Sequence, residues 1–392
     1  MACILKFPPV QFFLYLALLH SAILATFSEI GIEAHIEQAH AHAKEHDFTR
    51  AIEYLVNALE IAPKSTEAYL QIGDLFFNIG KIGEAVESYL IARQLQPNAP
   101  GAQDRLNAVT HYNSGLLFLR RGEYEKAKAE YQLTIELCPN QSFPYYQIGH
   151  LLSQQRNFSQ AVPYYQKSIQ LYAENTGAHY QLMKAYFRSN DLEKGNGQLI
   201  KLRRIRAQKR FRMAEDDLKS GNINQAVKLY NRTLDMDTEY TPAYARLGAI
   251  AFQKGELVEA RNHLRRAIEI DPDFTTAHYQ LGWIYQQSGQ FQQAIQSLER
   301  VVALQPNSAS ACNTLAMFYL ERDSRLDKAL ALAKRAVKFK PIPSYWDTLS
   351  YSLYKKQKYE EADKAIKKAL ELQPDHPEYL TRQRAIQQRL LK

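Results

Sequence analysis

Apolar residues recur along most of the chain at the three- and four-residue spacing that one face of a helix requires. Between residues 48 and 63, for example, Ala51, Leu55 and Ala58 follow this spacing, and Pro63 comes after them. A proline at that point prevents the helix from continuing. Pattern and breaker together predict an amphipathic helix that ends before the proline.

This segment is repeated along the chain with a period of about 34 residues. An alanine, an apolar residue, a second small residue and a proline return in the same order in seven copies, which end at Pro63, Pro97, Pro139, Pro272, Pro306, Pro341 and Pro374. Three weaker copies, which begin at Ala161, Gly195 and Ala226, lack the proline. The repetition predicts about ten copies of one helix-pair unit.

The glycines fall into the same frame, at the eighth and fifteenth positions of the repeat. A small residue at position eight lets two helices approach closely, and a glycine at position fifteen takes the left-handed conformation that ends a helix. The eighth positions are Gly73, Gly115, Gly149, Gly248 and Gly282, and the fifteenth are Gly80, Gly122, Gly221, Gly255 and Gly289.

Together these residues resemble the tetratricopeptide repeat family, as in the run Leu281-Gly282-Trp283-Ile284-Tyr285. The resemblance implies an all-α fold, a right-handed superhelical solenoid of about ten helix pairs with a concave groove. We expect the solenoid over residues 29–374 and a C-terminal capping helix over 375–392. Two irregularities are expected, an insertion at residues 98–107 and a degenerate junction at 203–208 that forms a flexible point or an uneven bend.

Composition excludes several classes of protein. The chain is 46% hydrophobic and 23% charged, as in a folded protein rather than a disordered one. The net charge of +8 is too small to indicate nucleic-acid binding without a concentrated patch. No phosphate-binding glycine loop, nucleophile elbow or zinc-protease motif is present, and the three cysteines form no metal-binding pair. We therefore expect no enzyme activity, no cofactor and no nucleic-acid partner.

The first residues form a separate segment. Residues 1–28 contain a short, weakly positive start followed by an apolar stretch at 12–24. A cleaved signal peptide and an uncleaved membrane anchor both fit this pattern. Either predicts an exported or membrane-anchored protein, and we favour a bacterial periplasm or inner membrane over a eukaryotic secretory pathway.

The family resemblance also suggests a binding groove. Groove-facing positions of the first helix of each repeat carry aromatic and amide side chains, which suit an extended peptide. The alternative is that these rings fill the seam between neighbouring repeats. The candidate residues are Tyr112, Asn113, Tyr146, Gln147, Tyr180, Gln181, Phe211, Tyr279, Gln280 and Trp283.

A second candidate surface is the densest charge run, residues 201–212, which contains seven basic residues and no acidic one. A solvated helix face is the default interpretation, and an acidic protein partner or an anionic membrane is the functional one. The basic residues are Lys201, Arg203, Arg204, Arg206, Lys209, Arg210 and Arg212.

The first repeat is rich in histidine, with His35, His40, His42 and His46. Histidines four residues apart on a helix can bind a metal, but the fourth and eleventh repeat positions, where His35 and His42 stand, normally pack between helices. The sequence thus predicts a non-catalytic scaffold or adaptor that binds a partner polypeptide. The alternatives are a metal- or pH-responsive repeat protein and a regulatory repeat module of a cytosolic complex.

Overall fold

A computed structural model describes residues 31–45 and 47–391 of the chain. Twenty helices and no strands are found in these residues, so the predicted all-α helix-pair solenoid is confirmed. The chain divides into two compact units, one up to Ile205 and one from Arg206, and the boundary falls within a single helix.

The helices of the first unit are α1 (31–44), α2 (Phe48–Ile61), α3 (Thr66–Asn78), α4 (Ile82–Leu95), α5 (Ala102–Arg120), α6 (Tyr124–Leu137), α7 (Ser142–Gln154), α8 (Phe158–Leu171) and α9 (Thr176–Arg188). Helix α3 packs on α4, α5 on α6 and α7 on α8, and α8 also packs on α9. Helices α3, α5, α7 and α9 are the first helices of their repeats.

Helix α10 (Leu192–Lys219) contains the boundary between the two units. The helices after it are α11 (Ile223–Met236), α12 (Thr241–Gln253), α13 (Leu257–Ile270), α14 (Thr275–Gln287), α15 (Phe291–Leu304), α16 (Ala309–Glu321), α17 (Leu326–Phe339), α18 (Pro343–Lys355), α19 (Tyr359–Leu372) and α20 (Pro377–Leu390). Pairing begins again with α12 on α13 and continues to α18 on α19, with α20 packed on α19. Helices α12, α14, α16 and α18 are the first helices here.

Small residues allow the close packing within each pair. A Cβ atom at Gly149 would lie 2.8 Å from the Tyr165 ring, closer than real contacts allow, so only glycine fits there. The alanines at the repeated positions of the second helices, such as Ala161 and Ala260, are fully buried. The glycines at position fifteen, such as Gly122, have positive φ angles, as predicted.

Most of the insertion and all of the degenerate junction are helical in the structure. Helix α5 begins at Ala102, after Gly101 with a φ of 74°, so most of the insertion lengthens this helix to 19 residues. Residues 203–208 lie inside α10, which runs without a break for 28 residues. The degenerate junction is thus a fusion of the second helix of one repeat with the first helix of the next.

Candidate partner-binding surface

The fifth position of one repeat bonds to the sixth position of the next. The Gln147 amide of α7 donates to the Tyr112 hydroxyl of α5 at 2.9 Å, across 35 residues. In the second unit the Tyr279 hydroxyl and Thr314 Oγ1 lie 3.1 Å apart at the same separation of 35 residues. We call such a side-chain bond between first helices a rung. Tyr112, Gln147 and Tyr279, which were predicted to face the groove, therefore connect neighbouring repeats.

A second kind of rung begins at the ninth position. Asp74 of α3 binds Arg105 of α5, with Nη2 2.7 Å from Oδ2. Glu215 of α10 binds Arg246 of α12 in the same way, with Nη2 2.7 Å from Oε2. Each arginine lies 31 residues after its acid. In both cases a buried tyrosine hydroxyl, that of Tyr89 or Tyr230, donates to the same carboxylate.

Tyr112 was expected on the groove but lies in the core, with only 1% of its surface exposed. Helix α7 begins directly against the end of α3, where the Ser142 amide N–H donates to Asn78 Oδ1 at 2.7 Å. Tyr112 belongs to the buried hydrophobic cluster formed by these helices. Its ring meets Phe77 edge-on, with centroids 5.5 Å apart. Burial raises the pKa of the Tyr112 hydroxyl well above its ordinary value of 10. The ring therefore has no surface to offer a partner.

The other first-unit candidates are more accessible, except Gln147, which is also buried. Tyr180 of α9 is 42% exposed, and the ammonium group of Lys184 lies 5.5 Å from its ring centroid. Tyr146 and Gln181 are half-buried and bond to each other, and burial raises the pKa of Tyr146. Asn113 is exposed on α5.

The second-unit candidates are mostly packed into the core. The Phe211 ring lies between Tyr230 and Tyr240, with centroids 5.4 and 5.3 Å away. Trp283 meets Phe318 edge-on at 5.4 Å, and both it and Tyr279 are half-buried.

Gln280 shows what happens when a rung is missing. The residue 35 positions before it is Ala245, which has no hydroxyl to match that of Tyr112 or Tyr146. Among the described residues, the buried Oε1 atom of Gln280 has no hydrogen-bond partner.

The predicted basic run lies on α10, on both sides of the unit boundary. Its first four basic residues, up to Arg206, are exposed, and the last three, Lys209, Arg210 and Arg212, are half-buried. Leu202 and Ala207 of the same helix are buried, which explains why the run alternates between charged and apolar residues.

The first-repeat histidines are divided between two surfaces. His35 and His42 lie against the Tyr54 ring, with centroids 6.0 and 5.2 Å away, whereas His40 Nε2 lies 3.0 Å from Gln71 Oε1. The predicted fourth histidine, His46, lies outside the described residues. Over residues 31–45 and 47–391, no three His, Cys, Asp or Glu side chains come together as a metal site would require.

The structure also shows a basic cleft that was not predicted from the sequence. It lies among α7, α8 and α9, has a volume of about 450 Å³, and its lining includes His150, Arg156, Gln181, Lys184 and Arg188. Burial, with a further contribution from Lys184, lowers the pKa of His150 from its ordinary value of 6.5. A signal was available: the ninth position is basic in two consecutive repeats, and Arg156 replaces the glycine of position fifteen.

Residues 1–28, the predicted signal peptide or anchor, lie outside the described part of the chain. Among the helices from residue 31 onward, none has the length and apolar character needed to cross a bilayer.

Parts of this chain are similar to curated proteins and to solved structures. Human protein O-mannosyl-transferase TMTC3 is 28% identical over 151 residues, which are 36% of this chain and 16% of that protein. The crystal structure of the MamA protein is 24% identical and covers 44% of this chain and 94% of its own, with a TM-score of 0.38. YrrB, described as a TPR protein with an unusual peptide-binding site, is 18% identical and covers 64% of this chain and 96% of its own, with a TM-score of 0.31.

Family models give the more extensive match. A model described as TPR repeat matches residues 248–289. Models described as tetratricopeptide repeat match residues 36–100, 108–141, 144–175, 275–308 and 343–376. Together these ranges cover more than half of the chain and fall on helices of both units. The chain therefore belongs to the tetratricopeptide repeat family.

Proposed function

We propose that this chain is a non-catalytic scaffold or adaptor that binds a partner polypeptide on the first helices of its first unit. The observation that carries the proposal is the group of Tyr146, Tyr180 and Gln181 on α7 and α9. These side chains are exposed or half-buried beside an open cleft, whereas Tyr112 and Gln147 are enclosed in the core. Aromatic rings and amides in this arrangement suit an extended peptide.

A crosslinked pull-down from native cells tests this surface. The variant Tyr180→Ala with Gln181→Ala truncates one aromatic and one amide side chain without disturbing the core. The matched control is Leu133→Ala with Gln132→Ala, which truncates two exposed neighbours on the second helix α6 of the same unit. We expect partners that are lost with the α9 variant and kept with the α6 control. Identical partner lists from both variants would contradict the proposal.

We further propose that residues 1–28 export the chain or tether it to a membrane. Support comes from the apolar stretch at residues 12–24 and its weakly positive start. Cell fractionation combined with N-terminal sequencing of the mature chain tests this. A processed chain outside the cytosol, or an unprocessed one in the membrane fraction, is the expected result. An unprocessed chain in the cytosol would instead favour a regulatory module of a cytosolic complex.

A further inference from the structure

The basic cleft among α7, α8 and α9 differs from the rest of the first-helix surface in its charge. In two other repeats the ninth position supplies an acid, Asp74 or Glu215, which pairs with an arginine. In the cleft the ninth positions are His150 and Lys184, so neither supplies a carboxylate, and Lys184 adds a positive charge.

Among the described residues, no carboxylate forms an ion pair with the basic side chains of this cleft. None of the described residues that line it is acidic. In residues 31–45 and 47–391, Arg156, Lys184 and Arg188 have no ion-pair partner, whereas many other basic side chains have one. Burial, followed by the positive charge of Lys184, lowers the pKa of His150.

Unpaired positive groups that surround a concave surface attract an anion, because its binding relieves their mutual repulsion. The cleft is also bordered by apolar surface. Phe158 and Ala185 line it, and the Tyr146 ring is stacked on His150, with centroids 6.1 Å apart. Its volume of about 450 Å³ lies in the range of a ligand site and has room for a few side chains. Anionic and apolar contacts together suit a polypeptide better than a small inorganic ion.

We infer that the cleft binds an internal acidic segment of the partner, one that presents several side-chain carboxylates to Arg156, Lys184 and Arg188. This inference rests on the proposed function and gives the bound polypeptide a chemical character. Selectivity arises because a neutral or basic segment leaves the cationic groups unpaired.

The test uses the full chain and a fluorescein-labelled peptide of ten glutamates with both ends blocked, so that no terminal carboxylate contributes. A peptide of ten glutamines serves as the neutral probe. The cleft variant is Lys184→Glu with Arg188→Glu. The matched control, Arg232→Glu with Lys254→Glu, makes the same change of net charge at two exposed positions without ion pairs in the described residues. Fluorescence anisotropy measures the dissociation constants.

We expect the glutamate peptide to bind and the glutamine peptide not to bind. The cleft variant is expected to weaken binding by about tenfold or more, and the control by less than about twofold. Equal weakening by both variants would overturn the inference, since attraction would then depend on net charge alone. Displacement of the peptide by millimolar inorganic phosphate would also overturn it and would indicate a phosphate ligand.

The cleft variant also enters the crosslinked pull-down, which separates this inference from the proposed function. If glutamate binding is absent while partners are still lost with the α9 variant, the acidic-segment inference fails and the scaffold function stands. If the α9 variant loses no partner, the scaffold proposal itself fails.

Discussion

The Tyr112 hydroxyl is a buried polar group that depends on one hydrogen bond. Its ring is buried, and the hydroxyl has the Gln147 amide as its hydrogen-bond partner. A buried polar group that loses its partner costs more free energy than the bond itself contributes, because water cannot replace the partner. The hydrogen bond between Tyr112 and Gln147 therefore stabilises the fold, and its contribution to the free energy of unfolding increases with its burial.

We predict that Gln147→Leu lowers the free energy of unfolding by about 1–3 kcal/mol, since the Tyr112 hydroxyl is left unpaired. Urea unfolding followed by circular dichroism measures this loss. Gln181→Leu is the matched control, because its partner Tyr146 is only half-buried, so we expect a smaller loss. Adding Tyr112→Phe to Gln147→Leu should recover part of the loss. Equal losses for the two leucine variants would contradict this account.

His150 supplies a second prediction at the residue scale. Burial and Lys184 lower its pKa in the folded chain, and Arg156 and Arg188 line the same cleft without any carboxylate. The unfolded chain therefore binds a proton more readily than the folded chain. The contribution of His150 to stability is complete above its ordinary pKa of 6.5 and is lost as the pH falls below that value.

His150→Gln should therefore reduce the loss of stability between neutral and mildly acidic pH. Urea midpoints measured across this range for the wild type and the variant test the sign. A wild-type midpoint that rises as the pH falls, and flattens in the variant, would contradict the prediction. The imidazole pKa measured by NMR should lie below 6.5.

The repeat period identified the fifth-position tyrosines but not their depth. Tyr112 and Tyr180 hold the same position in their repeats, yet one is enclosed and the other is exposed. Around Tyr112, α5 is lengthened to 19 residues and the start of α7 meets the end of α3. A contact between α3 and α7 joins residues 64 apart in the sequence, and no local pattern reports it.

At the scale of the element, each first helix ends in a turn that requires a positive φ angle. Gly255 adopts it after α12 with a φ of 79°, and a Cβ atom there would meet nothing within 4 Å. Gln357 adopts the same conformation after α18 with a φ of 61°. A side chain in the left-handed region is strained for reasons of backbone sterics alone.

Two reciprocal substitutions test this strain. Gln357→Gly should stabilise the chain by up to about 1 kcal/mol, because the relief of strain exceeds the extra freedom that glycine gives the unfolded chain. Gly255→Gln should destabilise it by about 1 kcal/mol, with no clash to add to the cost. Urea unfolding of both variants provides the measurement. Changes of the same sign at the two positions would show that the turns are governed by something other than φ.

The helix pairs, the small residues between them and the residues that end them were predictable, because the sequence pattern for each lies within a single repeat. The continuous α10 was not, because residues 203–208 lack the turn glycine and the proline that end other helices, and their absence fits either a bend or a fusion. The cleft also escaped prediction, since Arg156 lies in the turn after α7 whereas Lys184 and Arg188 lie on α9, and only packing brings them together.

At the scale of the whole molecule, a repeat chain contacts mainly its neighbours along the sequence, so its stability is built from local interfaces. The rungs make these interfaces specific: Asp74 joins α3 to α5 in one unit, and Asp347 joins α18 to α20 in the other through Arg382. Removing either carboxylate leaves a cationic partner unpaired at a single interface. The damage should remain in the unit that contains it.

We predict that Asp74→Asn increases amide hydrogen exchange in α3–α7 by about tenfold and leaves α14–α19 within about twofold of the wild type. Asp347→Asn should show the reverse pattern, with faster exchange in α18–α20 and no change in α3–α7. Hydrogen exchange followed by mass spectrometry of peptides resolves these segments. If either substitution accelerated exchange evenly along the chain, the two units would unfold as one cooperative body, and local interfaces would not account for the stability of this solenoid.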